Sequence, residues 1–378
     1  MTMRNTGLTI LATLFAATVS AAAADRPVIR VRPADAQPAA QAPRAGRAVP
    51  VAAASATIIN LGTLGGLDSA AYGINDAGQV VGKVSTADGN ERAFLYSNGV
   101  MTDLGTLGGT YSAAYGINDT GQVVGYATMA GDEDARAFLS SNGVMTNLGT
   151  LGGSYSVASG INDSGQVVGH SAVAGGQFHA FLYSNGVMAD LGTLGGSTSY
   201  ATGINDSGQV VGSATAAGGY SHAFLSSNGV MADLGTPSGF FNFSHGVAVN
   251  NLGQVVGDVG YAGYLFYAFT LNHSMFVYSS GMTTQLRTKL GSVGFSSSLN
   301  DSGHIVGSAR QRDYTYRAFL YANGTFTDLN DLLPPDSGWI LEDATDINSS
   351  GAIAGNGTIN GETRAFLLTP TPAGQEQP

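Results

Sequence analysis

No cysteine occurs anywhere in the chain. This excludes a disulfide framework, thiol catalysis, Cys-ligated zinc and lipid attachment through an N-terminal cysteine. Lysine is nearly absent, at Lys83 and Lys289 only, and charged residues are 11% of the total. Beyond the first 24 residues no segment is apolar enough to span a bilayer. Glycine takes up the difference, with 55 residues, a composition suited to turn-rich β structure. At 378 residues and 43% apolar content the chain can bury a large core.

Residues 1–24 combine an early Arg4, an apolar stretch from Leu8 to Ala17 and the small residues Ala22-Ala23-Ala24 before Asp25. This is the pattern of a Sec-type bacterial signal peptide, and it predicts a secreted or periplasmic protein without a membrane span after cleavage. Residues 25–56, rich in Ala, Pro and Arg with no apolar period, read as a disordered linker, and residues 370–378 as a disordered tail. Past residue 56, nine basic groups face twenty-four acidic ones, which argues against a nucleic-acid partner.

Residues 57–369 are one repeat used seven times. Gly73-Ile74-Asn75-Asp76-Ala77-Gly78-Gln79-Val80-Val81-Gly82 returns with one change at 116–125, 160–169 and 203–212. Looser copies centre on Asn250, Asn300 and Asn348, so the landmark asparagines are 43, 44, 43, 45, 50 and 48 residues apart. Within the first copy, Ala70–Ile74, Gln79–Ser85, Ala93–Ser97 and Val100–Leu104 read as strands. Asn75-Asp76-Ala77-Gly78 and Asn98-Gly99 read as the hairpin turns that join them. Consecutive apolar positions such as Val80-Val81 require both sheet faces to be covered. Four strands per repeat of this length predict an all-β fold, a seven-bladed β-propeller of four-stranded antiparallel blades. A parallel β-helix is the rival architecture, with shorter coils and no hairpins. Ala56 to Gly62 resembles a fourth strand and the chain's last repeat lacks one, so the N-terminal strand is expected to complete the last blade and close the ring.

The combination of Leu-Gly-Thr-Leu-Gly-Gly, Gly-Ile-Asn-Asp-x-Gly-Gln-Val-Val-Gly and an Ala-Phe pair preceded by His179 or His222 resembles the HAF-repeat family of extracellular repeat proteins. The resemblance implies export and a repeat scaffold, and it carries no reaction. Arg92, Arg136, Tyr267, Arg317 and Arg364 stand where the family has His, and no C-terminal sorting anchor is recognisable, so covalent surface attachment is not expected.

Chemistry is sparse. The His or Arg before Ala-Phe is expected to anchor its own hairpin by bonding a turn carboxylate such as Asp76 or Asp163. A ring of these basic groups binding an anion is the competing reading. The Asn-Asp turns lack the ligand density of calcium loops, and Leu61 to Gly66 lacks the lysine of a phosphate loop. Glu342, Asp343, Asp258 and Asp313 read as solvated loop carboxylates. His170, His245, His273 and His304 show no metal-ligand spacing. No catalytic residue, metal or cofactor is assigned.

The repeats degenerate from Pro237 to Tyr316, with about seven extra residues around Leu271 to Met275 and a high aromatic density. Exposed rings there suit stacking on sugars or docking a protein. The candidate binding residues are Phe240, Phe241, Phe243, Tyr261, Tyr264, Tyr267 and Tyr314, with Trp339 in the final repeat. The expected function is a monomeric, non-catalytic binding or scaffold module for an extracellular glycan or cell-surface protein. A polysaccharide-active enzyme and a purely structural matrix component are the alternatives.

Overall fold

The computed structural model describes residues 55–237, 241–265, 268–291 and 293–371. The expected leader, nearly all of the linker and residues 372–378 of the tail lie outside the described residues.

The chain is an all-β, propeller-like assembly of four-stranded antiparallel units. The first repeat forms strands Gly65–Ile74, Val80–Thr86, Glu91–Ser97 and Val100–Asp103, hydrogen-bonded in that order. Five sheets have four strands. The second and third repeats share an eight-stranded sheet through a single parallel pair, Tyr155 with Ala135. The last repeat supplies Trp339–Ile347, Ile353–Ile359 and Glu362–Thr371, and Ser55–Asn60 pairs antiparallel with the third of these, Ile58 opposite Leu368. First strands of successive repeats touch one another, and Trp339–Ile347 touches Gly65–Ile74.

The repeated motif explains this arrangement. Asn98 and Gly99 both have positive φ, 51° and 80°, as a type I′ hairpin turn demands. In Val-Val-Gly, Gly82 lies opposite Phe94, and a Cβ there would come within 1.9 Å of the Ala70 carbonyl oxygen and 2.9 Å of the Phe94 ring. The glycine leaves room for the phenylalanine. Each repeat buries one such ring completely: Phe94, Phe138, Phe181, Phe224, Phe276, Phe319 and Phe366. Each contributes about 2–3 kcal/mol from apolar burial.

Phe276 corrects the sequence alignment of the fifth repeat. Gly257 pairs with Phe276, so Met275-Phe276 fills the Ala-Phe place and Ser274 the His place, in contrast to the expected Tyr267-Ala268-Phe269. The extra residues lengthen the hairpin Val255–Leu265 and Ala268–Ser279. Tyr267 lies outside the described residues.

Junctions between repeats are built from buried polar side chains. The Asn75 side chain accepts from the Gln79 amide and donates to the Asn118 carbonyl, at 2.9 and 3.1 Å. The same inter-repeat bond runs from Asn118, Asn162, Asn205, Asn250 and Asn300 to the next landmark asparagine, and from Asn348 to Asn75. Ser112 works at the opposite end of the inner strand, accepting from Ala93 N of the preceding repeat and donating to the Gly105 carbonyl. Left unpaired, each of these buried groups would cost about 1–3 kcal/mol.

Candidate functional site

The seven hairpin turns surround a cavity of about 240 Å³ lined by the Ile-Asn-Asp triplets and their counterparts. The turn aspartates bond around this opening: Asp76 N donates to Asp119, Asp119 N to Asp163, Asp163 N to Asp206, and Ser349 N to Asp76. Burial, with the neighbouring carboxylates Asp76, Asp163 and Asp206, raises the Asp119 pKa against the pull of the Asp76 amide.

The expected bond from the pre-Ala-Phe cation to Asp76 or Asp163 does not form. The turn and the start of the third strand sit at opposite ends of the hairpin. His179 pairs instead with Asp190 at 2.7 Å and His222 with Asp233 at 2.9 Å, both on the fourth strand. Arg92, Arg136 and Arg364 donate to the carbonyls of Thr110, Ser154 and Leu67 in the next repeat. These are scaffold contacts.

A denser constellation lies where the first and second strands meet the next repeat. Three positions generate it, the residue after Val-Val-Gly, alternate residues of the first strand and, at Phe178, the start of the third strand. Ala113 pairs with Tyr126, which places Tyr111 and Tyr115 on the same face as Tyr126. The ring centroids of Tyr111–Tyr126 and Tyr115–Tyr126 are 5.5 and 5.9 Å apart. Contacts continue from Tyr72 to Tyr115 at 5.2 Å, Tyr126 to Tyr155 at 6.5 Å and His170 to Tyr200 at 5.0 Å, with Phe178 against Tyr155, His170 and Tyr200. All these rings keep partial solvent exposure while being closely surrounded. Burial raises the phenol pKa of Tyr72, Tyr111 and Tyr115, and pushes Tyr155 up to about 12, with Tyr126 adding to each. It lowers His170 to about 4, so that imidazole is neutral at neutral pH.

In the later repeats a second group lies on first strands, at Phe243, His245 and Phe295, and on third strands, at His273 and Tyr316. Phe243 meets His245 at 5.4 Å and His273 at 5.2 Å, His273 meets Phe295 at 5.2 Å, and Phe295 meets Tyr316 at 6.5 Å. Burial lowers the pKa of both histidines, helped at His245 by His273 and at His273 by Arg310. His245 lies opposite Asp258 in register.

Asp258 and Asp343 are not the solvated loop carboxylates expected from sequence. They stand on strands and face the neighbouring repeat, densely surrounded even though each retains some accessible area. Asp258 accepts from Ser296 N and Oγ at 3.1 and 3.0 Å, and burial still pushes its pKa up to about 7. Burial likewise carries Asp343 to about 6 against the pull of the Ser308 hydroxyl, with Glu342 assisting. Asp346, unremarked in the sequence, bridges three repeats by accepting from Ser298 Oγ and Ile74 N at 2.6 and 2.9 Å. Asp313 does occupy an exposed turn, bonded to Thr315.

Among the candidate binding residues, Phe243 joins the second of these aromatic groups. Phe241 packs on the core around Phe276, and Trp339 packs edge-on against Phe366 at 6.0 Å. Tyr314 is 74% exposed beneath the Arg310 guanidinium, apart from the others. Phe240 and Tyr267 lie outside the described residues, as do the side chains of Tyr261 and Tyr264 on strand Val255–Leu265. The regular-repeat rings were missed because near-identical repeats were read as scaffold. The usable signal was variability within them: Lys83, Tyr126, His170, Ser213, Asp258, Ser308 and Asn356 all follow Val-Val-Gly or its counterpart.

Among the described residues no cluster of three or more His, Asp or Glu is arranged to hold a metal ion, and no helix is long and apolar enough to cross a membrane. No family model and no curated protein matches the chain. Solved structures align with the chain at TM-scores below 0.5. A gluconolactonase from Xanthomonas campestris aligns with TM-score 0.42 and 9% identity over 86% of this chain and 94% of its own. The β-propeller domain of the Trilobed protease from Pyrococcus furiosus aligns at 0.40 and 8% over 81% and 86%. The fucose-recognising Aleuria aurantia lectin, a six-bladed propeller, aligns at 0.35 and 13% over 75% and 98%.

Proposed function

We propose that the chain is an exported, closed seven-bladed propeller of the HAF-repeat kind, acting as a non-catalytic module that binds an extracellular glycan. One observation carries the binding reading: an unbroken series of partly exposed rings from Tyr72 to Tyr200, with phenol and neutral imidazole groups among them. Sugar C–H faces stack on such rings, while phenol oxygens and imidazole nitrogens bond the hydroxyls. The pairing of Ser55–Asn60 with the last repeat and the bond from Asn348 to Asn75 support closure. The regular seven-turn rim supports the blade number. The resemblance of the repeat motif and the leader-like first 24 residues support export. Binding of the full chain to a glycan array, lost in a Tyr126→Ala, Tyr155→Ala double variant that keeps the parent circular dichroism, is the expected result. An unchanged array profile sinks the glycan reading.

Asp258 and Asp343 favour one second reading, a polysaccharide-active enzyme, because carboxyls raised to about 7 and about 6 suit general acid work. Turnover of any polysaccharide that falls at least a hundredfold in Asp258→Asn or Asp343→Asn would replace the binding module with this enzyme.

A further inference from the structure

The tyrosines of the first two repeats form a cluster whose chemistry goes beyond ligand binding. Tyr111 and Tyr126 are stacked with an interplanar angle of 29°, and Tyr115 and Tyr126 with 19°. Tyr72 of the first repeat meets Tyr115 of the second at 5.2 Å. All four phenols are partly exposed, so a diffusing oxidant or a radical relayed from the surface reaches them. There is no cysteine to intercept it, and the single tryptophan, Trp339, packs against Phe366 in the last repeat. The more exposed Tyr220 and Tyr314 have no tyrosine ring in contact among the described residues.

We propose that Tyr72, Tyr111, Tyr115 and Tyr126 are a site of intramolecular dityrosine formation, driven by a haem-peroxidase type oxidant with hydrogen peroxide. Each of two phenols gives up one electron and its hydroxyl proton. The resulting tyrosyl radicals join through a carbon–carbon bond between positions ortho to the oxygens, and the two displaced ring hydrogens return to the oxygens as aromaticity is restored. One peroxide takes up the two electrons and two protons and leaves as two waters. Coupling of Tyr72 to Tyr115 ties the first repeat to the second covalently, doing for a cysteine-free exported chain what a disulfide does elsewhere. Coupling of Tyr126 to Tyr111 or Tyr115 staples the hairpin within the second repeat.

The test treats the full chain with peroxidase and hydrogen peroxide, followed by tryptic mass spectrometry. Trypsin cuts after Arg47, Lys83, Arg92 and Arg136, so Tyr72 falls in one peptide, and Tyr111, Tyr115 and Tyr126 fall together in another. The expected product is a monomer with dityrosine fluorescence, containing these two peptides joined with the loss of two hydrogens, and fragmentation placing the link at Tyr72 and Tyr115. Tyr115→Phe keeps the ring packing and loses the inter-peptide link, while retaining Tyr111–Tyr126 coupling as a two-hydrogen loss within one peptide. Tyr115→Phe with Tyr126→Phe loses both. The proposal is overturned if the folded parent gives no dityrosine, if coupling is intermolecular through Tyr220 or Tyr314, or if the links survive in the double variant.

Discussion

The first four repeats and the last three share one scaffold and differ in what fills their junctions. In both, a landmark asparagine crosses to the next repeat and a buried phenylalanine faces a glycine. At the residue after Val-Val-Gly, however, the early repeats include Tyr126 and His170, packed against rings of the following repeat. The later ones place Asp258, Ser308 and Asn356 there. Asp258 bonds Ser296, and Asn356 bonds both the amide and the carbonyl of Ala71. The same geometric slot holds stacked rings at Tyr126 and His170 and polar clamps at Asp258 and Asn356. The scaffold and the chemistry are therefore separable, because the residues that close the junction are not the residues that build the sheet.

If the scaffold is shared, Phe181→Ala in the early half and Phe276→Ala in the late half should each destabilise by about 3–5 kcal/mol in urea unfolding. A loss confined to one half breaks the comparison. Next in size, Asn162→Ala leaves the Gln166 amide and the Asn205 carbonyl without their partner and should cost about 2 kcal/mol. Asn300→Ala should cost a similar amount, since the bond to Asn348 is equivalent.

The smallest predicted effect is the sharpest, because it reverses sign between the halves. The folded pKa of Asp258 stands above its unfolded value, so its favourable contribution is complete below pH 4 and fades as pH rises toward about 7. Asp258→Asn should therefore gain on the parent as pH rises from about 4 to about 7, followed as the difference in thermal midpoints. Asn fits the slot, as Asn356 demonstrates. His170 has its folded pKa below its unfolded value, about 4 against 6.5, so its contribution is present above 6.5 and is lost as pH falls toward 4. His170→Tyr, copying Tyr126, should gain on the acid side instead. The same pH slope in both variants would contradict the separate junction chemistries.

Much of the sheet structure was legible because each copy restates the same turns. Asn98-Gly99 and Asn75 to Gly78 dictate hairpins by local backbone preference alone. The proposed binding surface was less legible, because it depends on which face of a strand meets the next repeat. Tyr126 and Asp258 occupy one structural position, and in the sequence only their shared place after Val-Val-Gly links them. In the degenerate stretch Phe241 packs against the core, as Trp339 does in the last repeat. Ala268-Phe269 copied the motif without filling its place, since register is set by the long hairpin that precedes Met275-Phe276.

The central claim is that the partly exposed ring series binds a glycan, and titration of a glycan selected on the array tests it most directly. The account predicts that Tyr155→Ala weakens binding at least tenfold, while Tyr220→Ala, on an exposed turn away from the series, leaves it unchanged. Equal affinity in the parent and in Tyr155→Ala, with both folded, would contradict it.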